Sequence, residues 1–223
     1  MKRIGFIFDM DGVIVDNMRT HETAWLELFA DLGVKIDLNA FHHKTAGMKA
    51  TEVLRYFLGN RFSEAELAQL SAQKEFLYRV LFRKKLKATK GLPRFLKATH
   101  ALKIPMALAT GGGKANIDFI LDGLDIRKYF QAVLGADDVK QGKPNPEIYL
   151  KSADALGLAP EQCFVFEDSL PGIEAARRAG MRVIGIATTH PVAFLRRIPS
   201  VMVAAKNFER LSPKPFLSLR TET

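Results

Sequence analysis

The chain has 223 residues, 48% hydrophobic and 26% charged, the composition of an ordinary soluble globular protein with room for a full core and a smaller accessory unit. Its single cysteine, Cys163 in the apolar run Cys163-Phe164-Val165-Phe166, excludes an internal disulfide and reads as a buried hydrophobe, so a reducing cytoplasm is the expected setting. A formal net charge of +9 and a pI near 9.7 would favour a nucleic-acid partner only if the basic residues were clustered.

The first element is the run Ile4-Gly5-Phe6-Ile7-Phe8, too short to span a membrane, which reads as a strand covered on both faces in a parallel sheet. The apolar stretch stops at Asp9, so no signal peptide is expected. Asp9 and Asp11 follow with one residue between them, and in extended backbone both side chains leave on the same side. In open α/β sheets the carboxyl ends of the strands are where ligands bind. Two carboxylates this close repel unless a divalent cation or a shared proton relieves them, which marks a candidate reaction centre; an acidic turn at Gly12 is the competing explanation.

After Val13-Ile14-Val15-Asp16, helical periodicity sets in: Ala24, Trp25, Leu28, Phe29 and Leu32 share a face, and Gly33 ends it. A second helix is predicted over 51–58 with Val53, Leu54, Phe57 and Leu58 as its stripe. A third starts at Ser63, where Glu66 completes a capping box, and runs to about residue 86. The densest basic patch is Arg83-Lys84-Lys85-Leu86-Lys87, with Lys90 and Arg94 behind it. Phe82 and Leu86 sit inside it at helical spacing, which favours a solvated helix face with a buried stripe over a polyphosphate or nucleic-acid groove.

Alternation of strand and helix then resumes. Gly91-Leu92-Pro93 opens a helix, and 104–109 is a second buried strand whose start alone is weakened by Pro105. Further strands are predicted at 132–134, 164–166, 183–186 and 201–203, with helices at about 115–123, 146–156 and 171–179. The pattern is α/β: a doubly wound parallel-sheet, Rossmann-like core over 1–16 and 88–223, interrupted by an all-helical insertion over 17–87, with a loose tail after Leu211.

Two more strand ends and one loop carry polar groups. Thr110-Gly111-Gly112-Gly113-Lys114 offers a hydroxyl and backbone N–H groups before a helix, an anion cradle by chemistry, although Gly-rich turns are common. In Gly142-Lys143-Pro144-Asn145-Pro146-Glu147 two prolines stiffen the loop and confine Lys143, whose ammonium would suit a phosphoryl oxygen; the alternative is a surface lysine before a proline-started helix. Glu167-Asp168-Ser169 brings the acids to as many as four against one lysine. That surplus requires a cation, and with neither a Cys nor a His cluster at hand, oxygen ligation points to Mg²⁺ over Zn²⁺.

Asp9-Met10-Asp11-Gly12-Val13, Thr110, Lys143-Pro144-Asn145-Pro146 and Glu167-Asp168-Ser169, in this order, resemble the haloacid dehalogenase superfamily, and the insertion resembles that superfamily's C1 cap. The nearest group is the β-phosphoglucomutase-like phosphatases. The resemblance implies that Asp9 is the nucleophile, forming an aspartyl phosphate, and that Asp11 is the acid and then the base. It also implies that Thr110 and Lys143 hold the phosphoryl oxygens. Mg²⁺ would be bound by Asp9, the carbonyl of Asp11 and Asp168, with Glu167 orienting its waters. Gly111, Gly112, His21 and Lys49 are the expected substrate contacts; His21 also reads as a capping or surface histidine. A dehalogenase fits poorly, because the second Asp and the metal-type acids belong to phosphoryl transfer.

The resemblance also implies that the cap closes on the core, with hinges near 16–19 and 88–91, and selects the substrate. Mutases of this type have a Thr where this chain has Asn17, and a cap Arg where it reads Gly47-Met48-Lys49-Ala50-Thr51. Lys49 lacks the bidentate grip of Arg. The expected activity is therefore a Mg²⁺-dependent phosphatase acting on a small phosphorylated metabolite, such as a sugar phosphate. A β-phosphoglucomutase-type isomerase, an inorganic pyrophosphatase and a non-catalytic binding protein are the alternatives. The expected protein is a cytoplasmic monomer with neither membrane nor nucleic-acid partner.

Overall fold

The computed structural model describes residues 3–37, 41, 45 and 48–219. In chain order its elements are β1 (Gly5–Phe8), α1 (Met18–Asp31), α2 (Ala50–Leu58), α3 (Glu64–Phe82), α4 (Leu92–Ala101), β2 (Met106–Ala109), α5 (Lys114–Gly123), β3 (Ala132–Leu134), α6 (Glu147–Ala155), β4 (Cys163–Glu167), α7 (Leu170–Arg178), β5 (Arg182–Ile186), α8 (Val192–Leu195) and β6 (Val201–Ala205). They fall into two compact units, 1–16 with 87–223, and 17–86.

The first unit is a six-stranded sheet in the order β3-β2-β1-β4-β5-β6, parallel throughout. The chain winds outward from β1 through β2 to β3, then returns to the other side of β1 and continues to β6. β1 is thus the strand where the winding direction reverses, the place at which an open parallel sheet leaves a crevice beyond its carboxyl edge.

Alternation along the strands sorts their side chains into two layers. Phe6 and Phe8 share a face with their register partners Phe164 and Phe166, and Phe95, Phe208 and Phe216 cover them. Phe8 stacks on Phe166 with centroids 4.5 Å apart and planes 5° from parallel; such pairs add about 0.5–1.5 kcal/mol beyond burial. Ile7, Ala107, Val165 and Val183 look the other way, onto Ile148, Tyr149, Ile173 and Ala176 of α6 and α7.

The second unit packs α1, α2 and α3 around Trp25, Phe29, Phe41, Leu54 and Leu67. Ser63 caps α3 as its sequence predicts: its hydroxyl accepts from Glu66 N, and Glu66 Oε2 accepts from Ser63 N at 2.7 Å. Arg83, Lys84 and Lys85 form an exposed 3-10 turn after the buried Phe82. Among the described residues no helix is long and apolar enough to cross a membrane.

Three expectations are corrected. β2 begins at Met106 instead of residue 104, because Pro105 has no N–H for the ladder, although its carbonyl still accepts from Phe6 N at 3.0 Å. β4 extends through Glu167, whose backbone pairs with Gly185. The segment past Leu211 is not loose over its described length: Lys214–Ser218 is a 3-10 turn that inserts Phe216, 5% exposed, against Phe6 and Phe164 at 5.4 and 5.2 Å. Phe216→Ala should therefore destabilise the protein by about 3 kcal/mol, as expected for emptying a buried aromatic site. Urea unfolding checks this, and a change within about 0.5 kcal/mol, the range of surface substitutions, would refute the docking.

Candidate active site

Register brings the first two acids together. Phe8 is paired with Leu108 on one side and Phe166 on the other, so the next residues, Asp9, Ala109 and Glu167, emerge at one level of the carboxyl edge. Asp9 N donates to the Phe166 carbonyl at 3.0 Å, which continues the ladder by one bond. Two buried carboxylates side by side need a cation between them, and Lys143 supplies it. Its Nζ donates to Asp9 Oδ1 at 2.5 Å, to Glu167 Oε1 at 2.7 Å and to the Ala109 carbonyl at 3.2 Å.

The loop that carries Lys143 is held by the residues around it. Glu147 Oε2 accepts from Lys140 N and Gln141 N at 2.9 and 3.2 Å, and Asn145 Oδ1 accepts from Glu147 N at 2.9 Å. The first-motif loop is equally confined. Gly12 lies at φ +82, and a Cβ on it would fall 2.0 Å from Asp168 Oδ2, so only glycine fits there. Thr188 donates to the Gly12 carbonyl at 2.5 Å, and Thr189 donates to Asp168 Oδ2.

Glu167 is the most heavily engaged acid. Oε1 accepts from Lys143 and from the Tyr149 phenol at 2.8 Å, while Oε2 accepts from Asp168 N, Ser169 N and Ser169 Oγ at 2.9, 2.9 and 3.0 Å. A side chain at residue 172 would strike it, since a Cβ on Gly172 would stand 1.7 Å from Oε1. Burial alone would raise its pKa, but the Lys143 charge and these donors win and hold the carboxyl below its ordinary value. Lys143 is the mirror case: burial opposes its charge, yet Asp9 and Glu167 carry its pKa well above the usual range.

Asp9 and Asp168 are compensated less. Burial, reinforced by Glu167, Asp168 and Asp11 and only partly offset by Lys143, raises Asp9 well above a normal carboxylate. Burial and then the charge of Glu167 push Asp168 up to about 7. Asp9, Glu167 and Asp168 each offer a carboxylate oxygen within 4.8 Å of the others. Hard oxygen donors, buried and short of positive charge, fit a divalent cation such as Mg²⁺. Asp9 and Asp168 are the better placed to supply ligands, because five donors already occupy the oxygens of Glu167.

Thr110 is buried at the end of β2, and its Oγ accepts from Gly112 N at 2.9 Å, which leaves its own proton to donate elsewhere. Gly112 packs against the first-motif loop: a Cβ there would meet Met10 Cε at 2.9 Å and Asp11 Oδ2 at 3.8 Å. Its amide is thus used inside the turn, while Gly111 is exposed. Asp9, Asp11, Thr110, Lys143, Glu167 and Asp168 are therefore all at the carboxyl edge around β1. His21 and Lys49 belong to the helical unit. His21 Nδ1 lies 2.9 Å from Lys74 Nζ with its ring stacked on Tyr78, and Lys49 is exposed at the start of α2, its backbone N–H capped by Glu52. Asn17 donates to Tyr78 Oη at 2.5 Å, and Gly47 lies outside the described residues.

Sequence reasoning missed Tyr149, Thr188 and Thr189. The two threonines carried a signal, since they follow β5 as the acids follow β1 and β4. Tyr149 carried none, because an inward tyrosine two residues into α6 is indistinguishable from core. Cys163 is buried as expected, and burial pushes its thiol up to about 12.

The raised carboxyls predict a pH signature. Unfolded, these groups titrate near 4, so the cation-free folded state holds protons that the unfolded chain has released. The stability that Asp168 contributes in this way is complete below about pH 4 and is lost as the pH rises through about 7. After chelation, the wild-type protein should lose stability relative to Asp168→Asn between pH 5 and pH 8, and added Mg²⁺ should restore more at pH 8, where protons do not compete. Denaturant unfolding at both pH values measures this, and parallel profiles for the two proteins would contradict it.

Residues 5–180 match the haloacid dehalogenase-like hydrolase family. The chain is 35% identical over 184 residues to the fructose-1-phosphate phosphatase YqaB of Escherichia coli, covering 82% of this chain and 95% of that protein. It is 33% identical over 181 residues to the phosphorylated carbohydrates phosphatase of Thermotoga maritima, covering 81% and 83%. Its fold superposes on the β-phosphoglucomutase of Clostridium difficile with a TM-score of 0.83 at 27% identity, covering 97% of this chain and 96% of that one. The matched span, the relatives and the shared fold make this chain an enzyme of the haloacid dehalogenase-like hydrolase family, in its β-phosphoglucomutase-like group.

Proposed function

We propose that this chain is a Mg²⁺-dependent phosphatase that hydrolyses a small phosphorylated carbohydrate through an aspartyl phosphate on Asp9. The observation that carries the reading is the approach of Asp9 and Asp168 to one another beside the Lys143 ammonium, at the strand where the winding of the sheet reverses. The names of the Escherichia coli and Thermotoga maritima relatives support the reaction class and the carbohydrate substrate.

In this reading an Asp9 carboxylate oxygen attacks phosphorus in line, the bond from phosphorus to the sugar oxygen breaks, and Asp11 gives the departing oxygen its proton. Asp11, now ionised, takes a proton from water as that water attacks the phosphoryl group, which releases orthophosphate and restores Asp9. Lys143 and Thr110 hold phosphoryl oxygens in both steps, so most of the work is positioning and charge neutralisation. Mg²⁺, held by Asp9, Asp168 and the carbonyl of Asp11, supplies when bound the positive charge that lets an anionic nucleophile face an anionic substrate. We assign Glu167 to holding Lys143. The helical unit is proposed as the cap that selects the sugar, with His21 and Lys49 among its contacts.

The test is phosphate release, with Mg²⁺, from fructose 1-phosphate, other phosphomonoesters, pyrophosphate and β-glucose 1-phosphate, with products followed by phosphorus NMR. Orthophosphate should appear from sugar monoesters. Interconversion of glucose phosphates stimulated by a bisphosphate, with little free phosphate, would establish a mutase instead. Asp9→Asn should abolish turnover, and Lys143→Ala should lower kcat by about 100-fold or more, the scale of losing a preorganised charge partner of the transition state. Retained turnover in Asp9→Asn would remove the covalent step.

A further inference from the structure

Lysine is a flexible stem with a compact charge at its tip, so a catalytic lysine needs partners that fix its ammonium. In this pocket those partners are Asp9, Glu167, the Ala109 carbonyl and the face of Tyr149, whose ring centroid is 4.9 Å from Lys143 Nζ. One of them does not last. Once Asp9 is phosphorylated, as the proposed function requires, its carboxylate charge is gone and the ammonium turns to the phosphoryl oxygens, so Glu167, the Ala109 carbonyl and Tyr149 are the protein partners that stay the same.

Tyr149 belongs to the part of this shell that does not change. It is fully buried in α6, its O–H donates to Glu167 Oε1 at 2.8 Å, and that same oxygen accepts from Lys143. The phenol therefore fixes the rotation of the carboxylate that holds the ammonium, while the ring presents its negative face to the same ammonium. Gly172 allows Glu167 its place, and Asp168 N, Ser169 N and Ser169 Oγ secure the opposite oxygen, so Tyr149 completes a cradle built around Glu167.

We propose that Tyr149 is a positioning residue that keeps the Lys143 ammonium at the end of β1 through the aspartyl-phosphate stage, its O–H acting through Glu167 and its ring acting directly. The inference rests on the proposed function and deepens it.

Steady-state kinetics of wild type, Tyr149→Phe and Tyr149→Leu on fructose 1-phosphate and p-nitrophenyl phosphate with Mg²⁺, together with acid-quench measurement of the phosphoenzyme, test it. Tyr149→Phe keeps the ring and should lower kcat about 10-fold, the scale of one hydrogen bond to a charged group, with KM within about twofold. Tyr149→Leu, lacking ring and hydroxyl, should lower kcat about 100-fold. Both should hold a larger steady-state fraction of phosphoenzyme than wild type, because in the phosphoenzyme Asp9 no longer helps to fix the ammonium and hydrolysis depends most on the Glu167–Tyr149 cradle. A side chain that only fills space would change Tm while leaving kcat per folded enzyme and the phosphoenzyme fraction alone, and that outcome overturns the assignment. So does a lower kcat without phosphoenzyme accumulation. Wild-type protein that releases phosphate from no ester, or forms no phosphoenzyme, refutes the underlying function instead.

Discussion

Lys143 is the charge on which the pocket depends. The parallel register of β1 and β4 sets Asp9 beside Glu167 in a buried place, and the Lys143 ammonium between them relieves their repulsion. Removing one partner of a buried pair strands the other, at a cost of about 3–5 kcal/mol. The single ammonium satisfies Glu167 and leaves Asp9 and Asp168 with raised proton affinity. Such a site favours a second positive charge from outside, which is the electrostatic requirement for approaching a phosphate with an anionic nucleophile.

The backbone makes this arrangement possible. Strands that run the same way end together, so residues distant in sequence arrive at one edge without any long-range element to carry them. Two glycines remove the atoms that would collide with Asp168 and Glu167, and two threonines after β5 tie the first-motif loop and Asp168 to the neighbouring strand. Below that edge the phenylalanine layer and the aliphatic layer hold the strands from either face, which gives the acids a rigid floor.

Much of this was legible before any coordinates. The strands were readable because short apolar runs end in abrupt polar clusters, and Asp9, Asp11, Glu167 and Asp168 announced themselves at those breaks, while Lys143 stood out between the glycine and prolines of a loop. Boundaries were less readable: a carboxylate extends β4, because its backbone still pairs with β5, and hydropathy is blind to that. Tyr149 was illegible since its apolar ring satisfies the same periodicity as Ile148, and only the position of its oxygen separates a core residue from a partner of Glu167. The loose tail expected after Leu211 fails for the opposite reason: Phe216, one aromatic among prolines and serines, gives no period, yet a single side chain suffices to tie the segment down.

The central strand also precedes both of its partners in the chain. β1 ends at Phe8 and β4 ends at Glu167, so a ribosome must add roughly 160 further residues, about 10–30 s at common synthesis rates of about 5–20 residues per second, before both neighbours of β1 exist. Until β2 has been made that apolar segment has neither mate, and until β4 has been made it has only one. The centre of the sheet can therefore close only after the helical unit and two further strands have been made.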